Sequence, residues 1–196
     1  MKNKQFYLTH ILILMAVITA FLGSCKKEEA DDPNIAYTAF NISFSNVEGV
    51  TQTDSIDINQ DGINDFTVIS GFSGTGDSAA AYMIGDNAGV YIDSTVKYGS
   101  IIYKIIPLDK GQAAENISTQ KHWAAFGYVG LKLGASIAGI GNGVDKYVPV
   151  IVQNPSTFKY HFGWLRVNLS SDFKTYKVID GAYNIIAEIP IAMGAK

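Results

Sequence analysis

Hydrophobic patterning divides the chain into two regimes. Ile11 to Leu22 reads ILILMAVITAFL, an unbroken apolar run of 12 residues, whereas from about Ile35 apolar and polar positions alternate. In that second regime Phe40, Ile42 and Phe44 are interleaved with Asn41, Ser43 and Ser45, the period of a half-buried strand. Short apolar segments recur at 66–72, 80–84, 89–92, 101–106, 147–152, 176–179 and 183–189, with Gly, Asn, Asp and Ser between them. This spacing predicts an all-β fold, a β-sandwich or jelly-roll-like barrel. The best approach to a helical stripe, around Gln112 to Lys121, is polar and short. Residues 35–196 are therefore expected to form one all-β domain.

One segment breaks the alternation. In FKYHFGWLRVNLS the aromatic residues Phe158, Tyr160, Phe162 and Trp164 share a parity, and Leu165, Val167 and Leu169 continue on the other. An extra residue in a strand flips the phase, so a β-bulge is expected at Gly163-Trp164. A strand apolar on both faces in succession is expected to lie centrally between two layers.

Composition agrees with a folded β-domain. The chain is 47% apolar and 17% charged, with 11 Tyr and 10 Phe, against about 25% charged in ordinary soluble domains. Aromatic and branched residues suit a pleated surface. The formal charge is −3 and no Lys/Arg cluster falls in the alternating region, so no nucleic-acid partner is expected.

The N-terminus carries location signals. Lys2 and Lys4 precede the apolar run, which is too short for the ~20 residues that cross a bilayer and fits a secretory signal. The run ends at Leu22-Gly23-Ser24-Cys25, and Cys25 is the sole cysteine, so no disulfide can form within the chain. This box resembles a bacterial lipoprotein signal, which implies a signal peptide over 1–24 and acylation of Cys25. The following CKKEEADDP is a solvated charge run, read as a tether over 25–34. It is similar to the lysine-then-acidic export signal of Bacteroidota surface lipoproteins, which implies a lipid-anchored protein displayed outward from the outer membrane. Loss of 1–24 would remove two lysines and no acid, taking the formal charge to −5. Membrane attachment is then expected from the lipid and not from charge.

The clearest chemical signal is DINQDGINDF, residues 57–66. With Asp57 as position 1, Asn59 is 3, Asp61 is 5, Gly62 is 6, Ile63 is 7 and Asp65 is 9. Calcium loops of the EF-hand type take side-chain oxygens at 1, 3 and 5, a backbone carbonyl at 7 and glycine at 6. Position 12 is Val68 where such loops place a bidentate Glu, and a strand is expected to follow in place of a helix. The expectation is a structural Ca²⁺ held by Asp57, Asn59, Asp61, Asp65 and the Ile63 carbonyl, with a further oxygen from Asp54 or from elsewhere in the fold. The competing reading is a solvent-exposed Asx turn, which uses the same residue types.

HFGWLRVNL followed by YKVIDGAYN also resembles the C-terminal end of a bacterial secreted domain, matching at Phe162, Gly163, Trp164, Arg166, Asp180, Ala182 and Tyr183. Relatives also share the Asp57–Phe66 pattern and a glycine stretch comparable to Gly134–Gly141. The resemblance implies an exported β-sandwich and assigns no activity.

Other signals are weaker. His161 has no nucleophile beside it in sequence, and Trp164 is expected in the core instead of on a sugar. GLKLGASIAGIGNG (130–143) is read as a β-arch, since it lacks a P-loop lysine. Asp54-Ser55-Ile56 and Asp77-Ser78-Ala79 match a Bacteroidota O-glycosylation acceptor. The expected role is a non-enzymatic surface module that binds glycan or another envelope protein. The alternatives are a glycan-active enzyme, which needs two facing carboxylates, or an accessory component of an envelope assembly.

Overall fold

The computed structural model describes residues 31–72, 78–97, 100–114 and 121–196, and Asp32–Lys196 forms one compact unit. Cys25, the signal run and Asp77 lie outside the described residues. Every regular element described is a strand, in the order β1 (Ile35–Ser45), β2 (Thr51–Ile56), β3 (Phe66–Phe72), β4 (Ser78–Gly85), β5 (Ala88–Lys97), β6 (Ser100–Ile105), β7 (Lys121–Ala124), β8 (Phe126–Leu133), β9 (Ser136–Gly139), β10 (Lys146–Gln153), β11 (Tyr160–Leu169) and β12 (Thr175–Asn184). The all-β expectation holds.

The strands join in a single hydrogen-bonded path, β1-β12-β11-β10-β5-β6-β8-β4-β3-β2, with β7 along β5 and β9 along β8. The two ends of that path are β1 and β2, which are consecutive in the chain and joined only by residues 46–50. So short a connection brings the ends of the path back together, and the sheet curls into a nearly closed barrel. Among the described residues no ladder joins β1 to β2, which leaves a seam between them. At the far side, β1 closes on the last strand, with Ile35 opposite Asn184 and Phe44 opposite Tyr176.

Alternation fills the interior. Phe40, Ile42 and Phe44 turn inward from β1 and meet Ile56, Phe66, Val68, Val90, Ile92, Val148, Val150, Leu165, Val167 and Tyr176. Pro149 sits in the middle of β10 without breaking it, because it falls between two pairings on one edge. Tyr147 exchanges hydrogen bonds with Leu108, and pairing with β5 begins at Val150, so no ladder partner is lost at the missing N–H.

The expected bulge at Gly163-Trp164 is not there. The ladder from Lys146↔Val167 to Gln153↔Tyr160 is unbroken. β11 is apolar on both faces because both faces are covered. Leu165, Val167 and Leu169 face the barrel interior, while Trp164 packs outward against Ile191 and Met193. The C-terminal segment is held there by pairing of Ala192 with Ala113 and by hydrogen bonds between Met193 and both Gly111 and Gln112. The bulge lies instead on β12, where Ile179 is skipped between Arg166↔Asp180 and Val167↔Val178. The partner strand β1 shifts at the same level, with Asn41 in the left-handed region at φ 56°. Phe158 leaves the face assigned to it and sits in the turn before β11. The glycine stretch 130–143 forms a hairpin, not an arch: Leu133 pairs with Ser136 across Gly134-Ala135, and Gly134 takes φ 57°.

Candidate functional site

The 57–65 loop connects β2 to β3 and runs along the seam. Its first turn is anchored from below by Ile58, which is fully buried in the barrel interior, and from the side by Gln60, whose amide Nε2 donates to Thr38 Oγ1 of β1 at 2.6 Å. Two left-handed residues, Gln60 at φ 59° and Gly62 at φ 87°, allow the reversal. Glycine is suited to the second because that conformation costs it nothing.

Most ligand-type side chains in the loop turn back onto its own amides. Asp57 accepts from Gly62 N at 2.8 Å and Asp61 N at 3.2 Å. Asn59 Oδ1 accepts from Asp61 N at 3.0 Å, and Asp61 Oδ1 from Ile63 N at 2.8 Å. Asp65 differs, being 5% exposed, with Oδ2 accepting from the buried Ile58 N at 2.8 Å. Burial pushes its carboxyl up to about 6, with a smaller push from Asp57 and Asp61 and opposition from the Ile58 and Asn59 amides. Asp54 stays on β2 and caps its neighbour Ser55 N at 2.8 Å.

The loop's fit to a cation rests on these observations. Among the described residues no three His, Cys, Asp or Glu side chains converge as a ready-made ligand set. A carboxylate offers about four lone-pair sites, so an oxygen that accepts one amide N–H still has capacity for a metal. The crowding of Asp57, Asp61 and Asp65, which disfavours the charged form of Asp65, is what a divalent cation would relieve. Hard oxygens alone suit Ca²⁺.

The loop also walls a cavity of about 270 Å³ at the barrel mouth, lined by Asn59, Asp61, Val152, Asn154, His161, Tyr183 and Ile185. Asn154 and His161 continue the inward parity of Val152 and Leu165, so the cavity is the open end of the interior. His161 Nδ1 lies 2.9 Å from the Asn184 carbonyl. A carbonyl only accepts, so Nδ1 carries a proton and donates it to that oxygen. Asn154 spends its carbonyl oxygen on Ser156 N and Thr157 N, which leaves its amide as a donor. The Tyr183 hydroxyl is held above the usual phenol range by burial first and then by Asp65, Asp61 and Asp57. Imidazole, amide, hydroxyl and carboxylate thus share one small space with apolar walls.

The C-terminal motif residues come together elsewhere, and as structure. Trp164 faces Ala182, Gly163 faces Tyr183 and Arg166 faces Asp180 across β11 and β12. Trp164 is 1% exposed and donates from Nε1 to the Ala195 carbonyl at 3.2 Å. Arg166 grips the buried Asp180 through Nε at 2.9 Å and Nη2 at 2.6 Å, and Tyr37 donates to the same carboxylate at 2.8 Å. A methyl group at Gly163 would stand 2.7 Å from the Ala182 carbonyl, which explains the glycine. Of the motif, only Tyr183 reaches the mouth. No family model, curated protein or solved structure matches the chain.

Proposed function

We propose that the chain is a lipoprotein acylated on Cys25 and displayed outward from the outer membrane, with a non-enzymatic binding domain whose ligand enters the barrel mouth. The observation that carries this reading is the cavity beside the 57–65 loop. Its lining offers hydrogen-bond groups of both kinds, from Asn59, Asp61, Asn154, His161 and Tyr183, against the apolar Val152 and Ile185. Hydroxyl-rich ligands ask for that mixture, and a volume of about 270 Å³ admits a single sugar-sized group. The bound class is therefore a glycan end. Ca²⁺ held by Asp57, Asn59, Asp61, Asp65 and the Ile63 carbonyl plays a structural part, fixing one wall of the mouth and the seam beneath it.

The test is glycan-array binding by the full chain, with Asn154→Ala and His161→Ala as site variants. Both positions are at least partly open at the mouth, so neither substitution threatens the core. A common glycan class bound by the parent and lost in both variants is expected. Retention of binding in both variants would place the ligand elsewhere, and co-purification of a protein partner without any sugar binding would favour an envelope assembly instead.

A further inference from the structure

Two turns beside the mouth hold apolar side chains in solvent. Phe158, in the turn before β11, is 72% exposed, and Tyr160, Ile185, Ile186 and Ile189 are also exposed. The turns are joined, because Glu188 N donates to the Tyr160 carbonyl at 2.8 Å. Phe158 and Glu188 both take left-handed backbone, at φ 57° and 64°. Non-glycine residues pay a conformational cost there, so each turn holds its shape against local preference. Single exposed apolar residues are ordinary, whereas a group of them at one end marks a contact surface.

The chain's entry point says what that surface meets. Ile185 N donates to the Asn34 carbonyl at 2.8 Å, and Asp32 N to the Lys196 carbonyl at 2.7 Å. The tether therefore joins the domain beside the apolar group. Only six residues lie between Cys25 and Asp32, and the seven steps at ~3.6 Å each reach at most about 25 Å.

We infer that this end of the barrel docks onto the lipid surface, with Phe158, Ile186 and Ile189 entering the interface beneath the headgroups. The inference rests on acylation of Cys25, proposed above. A short tether makes the second contact intramolecular, at an effective concentration in the millimolar range, so a handful of apolar side chains suffices where a free domain would stay in solution. Aromatic residues such as Phe158 and Tyr160 suit the boundary between apolar and wet layers. Asp57, Asp61 and Glu188 stand at the same end beside Lys159, so the apolar side chains and not net charge carry the contact. The mouth then opens onto the headgroup layer, and its ligand arrives from there.

The experiment uses the full acylated chain in phosphatidylcholine vesicles. The lipid occupies the thiol of Cys25, so a cysteine placed by Lys159→Cys takes a fluorophore at the proposed surface. Val47→Cys takes it at the opposite end, beyond β1. Flotation with the vesicles is expected for both, with iodide quenching several-fold weaker at 159 than at 47. Phe158→Ser combined with Ile186→Ser should bring quenching at 159 up to the level at 47 while flotation persists. Equal quenching at 159 and 47 in the floating parent would overturn the docking and leave the anchor standing. A chain that does not float would overturn the anchor and the docking together.

Discussion

Tyr176 shows what a single residue contributes when packing and polarity disagree. Its ring is fully buried and stacks on Phe44 at 5.7 Å between centroids, yet its hydroxyl has no hydrogen-bond partner among the described residues. An unpaired buried hydroxyl costs about 1–3 kcal/mol, so Tyr176→Phe, which keeps the ring, is expected to stabilise the domain by roughly 1 kcal/mol. Burial also raises this phenol above its ordinary value of 10.0. A group raised in the folded state holds its proton more firmly there, so its contribution is intact below pH 10 and is lost as pH climbs beyond. Denaturant titrations from pH 8 to 11 should show a shallower alkaline decline in Tyr176→Phe than in the parent. A lower midpoint for the variant at neutral pH would mean the hydroxyl is satisfied after all. The aromatic pattern of β12 announces Tyr176 as a core residue, but nothing in it reveals whether a partner waits for the hydroxyl.

The β11–β12 pair explains why element identity is legible while element detail is not. Alternation is local, so Leu165, Val167 and Leu169 declare their face directly. The covering of Trp164 by Ile191 and Met193 depends on a segment some thirty positions later, and without it two apolar faces in succession read as a phase flip. The real irregularity, at Ile179, leaves the alternation of β11 untouched. The pair's polar ladder yields a prediction of its own. Asp180 is 3% exposed and Arg166 31%, with Asp145 at 3.8 Å from the guanidinium. Arg166→Ala strands a buried carboxylate with only Tyr37 and a distant Lys196 to answer it, and a cost of about 3–5 kcal/mol is expected. Asp180→Ala frees a guanidinium that already reaches water and Asp145, so its cost should be smaller. Urea midpoints of the two variants decide the matter, and an equal or larger loss in Asp180→Ala would show that the arginine, not the carboxylate, is the group needing rescue.

At the scale of the molecule, the described residues leave one unladdered seam between β1 and β2, and the loop most legible in the sequence lies across it. Asp57 to Asp65 are contiguous, so their spacing could be read without the fold, whereas Val152, Asn154, His161 and Tyr183 meet at the mouth only through the register of β10, β11 and β12. That difference separates what a sequence displays from what only a topology assembles. It also fixes how the cation is to be tested. Ca²⁺ bound only by the folded state stabilises by about 2.7 kcal/mol at one hundred times its dissociation constant. At ~2–4 °C per kcal/mol for a domain of this size, the melting temperature in millimolar calcium should exceed that in EDTA by roughly 5–10 °C. The gain should vanish in Asp61→Ala, which removes a proposed ligand at an exposed position. The effect should also be local. The loop ties β2 to β1 through Gln60 and Thr38, so amides of β1 and β2 are expected to exchange faster in EDTA than in calcium, while those of β11, laddered on both sides, exchange alike. Identical melting of parent and variant in both buffers would reduce the loop to an Asx turn. A uniform change in exchange across all strands would leave calcium in place but deny it the seam.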